Sequence, residues 1–215
     1  MTGQVRTVDG RVAGRRGQAT RLKLLDCLGD MLSSSPYRDV KVIDVARRAG
    51  TSPATFYQYF PDVEGAVLEL ADATAKEGGA LADLVAGHSW SGKAGRRSAE
   101  ELVDGFLSFW RRNEAILRVV DLAAAEGDKR FYKIRMKTLT PVTQTLTGTI
   151  QELQGKGRVA PEISAAGLAG SLVTMLASAA GHQKGFQTWG VKQAELKPSL
   201  VQLVHLGVTG RKPAP

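Results

Sequence analysis

The residues Val42-Ile43-Asp44-Val45-Ala46-Arg47-Arg48-Ala49-Gly50-Thr51-Ser52-Pro53-Ala54-Thr55-Phe56-Tyr57-Gln58-Tyr59-Phe60 spell two short helices and the turn between them. The first half predicts a short helix from about Lys41 to Ala49, with Val42, Val45, Ala46 and Ala49 on one face. Gly50 follows as the stop, because an αL cap needs a positive φ that glycine adopts without strain. Ser52 is a good N-cap for the next helix, and Pro53 suits its first position, where the missing N–H costs nothing. Phe56 and Phe60 are four residues apart, so both point into a core. Ser52, Ala54, Thr55, Gln58, Tyr57 and Tyr59 are left on the exposed sides. Two short amphipathic helices around a glycine turn form a helix-turn-helix. The second helix has aromatic anchors behind and small polar side chains in front. That front fits a major groove about 12 Å wide.

Toward the N-terminus, a first helix is expected from about Gln18 to Ser33. Leu22, Leu25, Leu28, Gly29 and Leu32 form its stripe, and Ser33-Ser34-Ser35-Pro36 stops it. Ahead of it, residues 1–14 read as a flexible basic arm. Met1 to Lys23 holds Arg6, Arg11, Arg15, Arg16, Arg21 and Lys23 against Asp9 alone. Over the whole chain, 29 Lys and Arg face 21 Asp and Glu, a formal charge of +8 across 215 residues. The excess is therefore concentrated beside the helix-turn-helix, where an arginine arm can reach a DNA groove or backbone. A solvated tail that aids solubility is the other reading of the same residues.

Toward the C-terminus, the pattern stays helical. Asp62 is the expected N-cap of a fourth helix reaching Gly78, and Ala86 to Arg97 reads as a loop. Helices follow from about Ser98 to Arg112, Glu114 to Gly127 and Asp128 to Leu153. Another is expected from Pro161 to Gln183, and a last one from about Gln193 or Lys197 to Leu206. The fold class expected is all-α, with about nine helices and no period-two strand.

Arg15-Arg16-Gly17-Gln18-Ala19-Thr20-Arg21 together with Val42 to Phe60 closely resembles the N-terminal domain of TetR-family transcriptional repressors. Ala54-Thr55-Phe56-Tyr57-Gln58-Tyr59-Phe60 is the most distinctive part, and the match covers about residues 15–70. The resemblance implies an N-terminal three-helix DNA-binding domain at 15–61 and a helical ligand-binding and dimerisation domain at 62–210. It implies a homodimer on a near-palindromic double-stranded DNA operator, with recognition helices about one DNA turn apart, roughly 34–36 Å. By position, Thr55, Tyr57 and Tyr59 are then phosphate contacts, while Ser52, Pro53, Ala54 and Gln58 face bases or the groove wall. Thr51 and Lys41 lie near the backbone at helix ends, and Arg15 and Arg16 join the DNA-contacting set. Gln58 is the best candidate for base readout, since its amide pairs with adenine. One departure stands out: the family usually has a lysine three residues after the phenylalanine, where this chain has Val63.

The resemblance also implies a pocket in the C-terminal helices for a small effector. Phe106, Phe109, Trp110, Phe131, Met136, Leu139, Met175 and Phe186 are the residues suited to line it. Few charges fall on their faces, which favours an apolar or amphipathic ligand; ordinary core is the alternative for each. Thr138, Thr143, Gln144 and Gln183 are candidate polar contacts; surface or satisfied helix residues are the other reading. The small residues from Ala165 to Gly181, and Leu196, Leu200, Leu203, Val204 and Gly207 in the last helix, suit the two helices that pair between protomers in this family. Packing within one chain is the other reading.

Several classes are excluded. With 43% hydrophobic residues the chain can bury a core, so disorder is not expected. A single cysteine, Cys27, cannot form an intrachain disulfide and reads as a small core residue. No run approaches the roughly 20 apolar residues that span a bilayer, and the first 20 residues lack a secretory pattern. A cytoplasmic protein without membrane partner is expected. His88, His182 and His205 lack paired ligand spacing, so neither metal nor cofactor is expected. There is no nucleophile elbow or phosphate loop, and no catalytic residue is assigned. The functional expectation is a ligand-responsive DNA-binding repressor. The alternative is a helical small-molecule-binding protein or enzyme that has lost DNA binding.

Overall fold

The computed structural model describes residues 14–210, together with Thr7, Val8, Gly10 and Val12. Ten α-helices run through the described residues. They are α1 Arg15–Ser34, α2 Val42–Arg48, α3 Pro53–Tyr59, α4 Val63–Gly78, α5 Gly92–Arg112, α6 Glu114–Ala125, α7 Lys129–Gly155, α8 Ala165–Gly181, α9 Gln183–Thr188 and α10 Gln193–Thr209. Single 3₁₀ turns sit at Tyr37–Asp39 and Gly79–Leu81. The all-α class read from the sequence is the class observed.

The chain divides into two compact units. The first comprises residues 1–74 and 115–134, and the second residues 75–114 and 135–215. In the first, α1, α2 and α3 pack around Leu28, Leu32, Val45, Ala46 and Phe56, and α4 adds Ala66, Val67 and Ala71. From α6 come Ile116, Val119 and Val120, and from the start of α7 comes Phe131. Leu24 fills the inward position expected of Leu22, which is 57% exposed. At 100° per residue, Leu24 and Leu28 stack on the stripe while Leu22 falls on its flank. Cys27 is half-buried against this core.

In the second unit α5 is the hub, packing on both α8 and α10, which also touch each other. The repeat of Ala99, Leu102, Val103, Phe106, Phe109 and Trp110 buries one side of α5. Three local expectations change here. The helix α5 begins at Gly92, inside the stretch read as loop. Pro161 does not open α8: Ser164 caps it, its Oγ accepting from the Gly167 amide at 3.1 Å. That helix ends at Gly181, and the separate short helix α9 follows. Thr138, read as a polar contact, a surface residue or a satisfied helix residue, is 2% exposed.

Candidate nucleic-acid interface

The turn between α2 and α3 closes as a Schellman motif. The Gly50 amide donates to Arg47 O at 3.0 Å and the Thr51 amide to Ala46 O at 2.9 Å. Gly50 sits at φ 66°, where a side chain would be strained. Ser52 then caps α3: its Oγ accepts from the Thr55 amide at 3.2 Å and lies 3.0 Å from the Thr55 hydroxyl. This local chemistry sets the axis of α3, and the core sets its rotation. Phe56 is fully buried, and its ring packs against Phe60 with centroids 5.4 Å apart.

With those two rings inward, Ser52, Pro53, Ala54, Tyr57 and Gln58 are exposed, while Thr51, Thr55 and Tyr59 are half-buried. Lys41, the residue before α2, is exposed as well. The residue types able to meet phosphates and base edges therefore share one open side of α3. Val63 opens α4 and packs on the core, where a longer cationic side chain would reach outward. Asp62 caps α4, its Oδ1 accepting from the Gly65 amide at 2.6 Å.

The basic N-terminal residues separate into two groups. Arg15 and Arg16 belong to the first turn of α1 and are exposed. That turn has no acidic residue and no side-chain cap, so two positive charges sit at the positive end of the helix dipole. An external anion relieves that repulsion. Arg21 is committed elsewhere: it pairs with Glu69 and lies over the Phe60 ring, 5.2 Å from the centroid. Sequence reading missed one connection. The Val8 amide donates to the Gln58 carbonyl at 2.8 Å, so the chain ahead of α1 passes the last turn of α3. Arg6 and Arg11, counted with the arm, lie outside the described residues.

Charged groups tie α6 and the start of α7 to the helices α1 and α4 within the first unit. Arg118 donates to the Leu32 carbonyl at 2.8 Å, closing the end of α1. Arg38 pairs with Glu126, and Arg130 pairs with both Glu64 and Asp128. Hydrogen bonds from Arg130 hold the Asp128 carboxyl well below the usual carboxylate range. Partial burial, then hydrogen bonding to Asp128, pushes Glu64 up. Burial raises Tyr37 nearby.

The residues proposed for a ligand pocket are not all brought together. Phe131 belongs to the core of the first unit. In the second, Phe106, Phe109, Trp110 and Leu139 are buried, and Met136, Met175 and Phe186 are half-buried. Phe106 stacks on Trp110 at 5.6 Å, and Phe109 meets Trp110 edge-on at 5.3 Å. The indole N–H of Trp110 is buried without a hydrogen-bond partner.

A family model described as bacterial regulatory proteins, tetR family, matches residues 30–70. A second, described as tetracyclin repressor-like, C-terminal domain, matches residues 81–215. The HTH-type transcriptional regulator EthR of Mycobacterium tuberculosis is 39% identical over 62 residues, which are 29% of this chain. The chain spans 29% of the length of that curated relative. Among solved structures, a TetR-family regulator from Rhodococcus sp. superposes with a TM-score of 0.66 at 16% identity, covering 88% of this chain and 99% of that one. Thermus thermophilus FadR, a TetR-family repressor solved in complex with lauroyl-CoA, gives 0.59 at 17% identity, covering 91% and 98%. At such identities the structures share the fold. The C-terminal match covers more than half of the chain, and the helix-turn-helix match falls on the turn and helix that carry the exposed polar face: this chain belongs to the tetR family of bacterial regulatory proteins.

Proposed function

We propose that the protein is a ligand-responsive transcriptional repressor that binds a palindromic DNA operator as a cytoplasmic homodimer and is not an enzyme. The observation that carries this reading is α3, capped by Ser52, anchored by buried Phe56 and Phe60, with Tyr57 and Gln58 exposed. Residues 15–61 form the DNA-binding domain and 62–210 the effector-binding and dimerisation domain. Tyr57, Tyr59 and Thr55 meet phosphates, and Gln58 reads a base. Arg15, Arg16, Lys41 and Thr51 add backbone contacts around Ser52, Pro53 and Ala54.

The effector is apolar or amphipathic. Phe106, Phe109, Trp110, Leu139, Met136, Met175 and Phe186 supply its apolar surroundings in the second unit. The orphan Trp110 N–H calls for a hydrogen-bond acceptor on the ligand. That the family relative FadR was solved with lauroyl-CoA is in keeping with a ligand of mixed character. Release works through two states. A ligand that prefers the state unable to fit the operator shifts the population, and a coupling of about 1–3 kcal/mol changes affinity some 5–150-fold.

The test is a titration of the operator complex with apolar and amphipathic candidate ligands. Loss of the complex within that range supports repression. Tighter binding on ligand addition marks an activator instead. Gln58→Ala is expected to cost about 1–3 kcal/mol at one adenine and to relax specificity there alone, measured by binding to duplexes substituted one pair at a time. Deletion of residues 1–14 is expected to weaken operator binding and flatten the dependence of log affinity on log salt. An unchanged slope removes the arm from the interface.

A further inference from the structure

A polar cleft of about 690 Å³ opens in the second unit between the loop ahead of α5 and the C-terminal half of α7. Its loop wall includes His88, Ser89 and Ser91, and its α7 wall carries Thr145, Thr149 and Glu152. A second cleft of about 460 Å³ lies between Gly92, His205, Thr209 and Gly210. Lys156 and Arg158 line both, so the two clefts flank the same pair of cations. Both side chains are exposed, and neither has an ion-pair partner among the described residues. Glu152 is the one carboxylate of either lining.

Three further observations converge there. The helix α5, 21 residues long, starts at this place with no side-chain cap and no acidic residue in its first turn. Gly92, its first residue, lines the second cleft and Ser91 before it lines the first, with Lys93 in the same turn. His205 is half-buried and lines the second cleft. The site is also held in shape. Ser98 Oγ donates to Ser89 O at 2.8 Å, pinning the loop to α5. A Cβ on Gly95 would come within 2.7 Å of the Trp90 backbone, so only glycine permits that approach. Arg96 donates to Gln202 Oε1 at 3.0 Å, fixing α5 against α10 one turn from His205.

We propose that these clefts bind a phosphorylated small molecule, its phosphoryl group held by Lys156, Arg158, His205 and the first amides of α5. The chemistry selects the class. Two uncompensated cations, an imidazole in the cleft wall and a helix N-terminus suit a compact polyanion. The hydroxyls of Thr145 and Thr149 donate to carbonyls four residues back, at 3.0 Å and 3.2 Å, which leaves their oxygens free to accept from the polar body of the ligand. This site is separate from the aromatic group around Trp110, and a molecule bound here is a second effector.

The experiment uses inorganic pyrophosphate and the full chain, with calorimetry for affinity and amide resonances for location. Saturable binding is expected, with shifts at residues 91–95 and at the His205 ring. The double variant Lys156→Gln, Arg158→Gln should lose at least tenfold in affinity while keeping the wild-type melting temperature, since both side chains are exposed. His205→Ala should lose severalfold. Lys184→Gln with Lys133→Gln, equal in charge change and away from both linings, should bind as wild type. Absence of saturation, or equal losses in the cleft and control variants, overturns the site. Because no DNA is present, these outcomes do not depend on operator binding.

Discussion

Thr174→Arg is expected to convert the protein from a dimer to a 23.0 kDa monomer. The helix α8 buries Ala165, Ala169, Leu172, Val173 and Leu176 within its own chain. Gly167, Ser171, Thr174, Ser178 and Gly181 are exposed on the other side. Small side chains there let a partner helix approach closely. On α10, Ser199 and Leu203 are exposed, with Leu203 at 52%. An arginine at the centre of the small-residue face keeps two such helices apart and brings two like charges together at a twofold axis. Light scattering coupled to size exclusion should report the monomer mass, with the helical circular dichroism spectrum unchanged. Operator affinity should fall by about 10²–10⁴-fold, because two recognition helices no longer act as one ligand. A variant that stays dimeric places the interface on another face.

Phe56→Ala should have the largest effect on stability. The ring is fully buried among α1, α2, α3 and α4 residues, and touches Phe60 and Tyr57. Truncation removes the apolar transfer contribution and leaves a cavity, a loss of about 3–5 kcal/mol. Comparable mass lost from an exposed residue costs little. Hydrogen exchange should show lost protection in α1–α3 with α8 and α10 retained, and operator binding should disappear even where the variant stays dimeric. Retained protection in α1–α3 would remove Phe56 as the anchor of the recognition helix.

The helix-turn-helix was legible because each signal in it is local. Gly50 at positive φ, the Ser52 cap, Pro53 at the first position and the Phe56–Phe60 spacing act within a few residues of themselves. Features that depend on distant packing were not legible. Leu24 rather than Leu22 faces inward because α2, α3 and α4 lie on that side. Phe131 has the residue type of a pocket aromatic, yet the path of α6 into α7 delivers it to the first unit's core. The amide of Val8 on Gln58 has no sequence signal, being a main-chain bond across 50 residues. The cations at Lys156 and Arg158 carry no local signal of a site, because His205 and the start of α5 are brought beside them only by the fold.

The measurement that bears most directly on DNA-dependent control is a fluorescence-anisotropy titration of the protein against the duplex upstream of its own gene, repeated across a salt series beside a random duplex of equal length. Saturation at two protomers per duplex is expected, with affinity at least about 10³-fold above random DNA and a steep linear fall of log affinity with log salt. Equal affinity for both duplexes, or no binding to either at low salt, would contradict it.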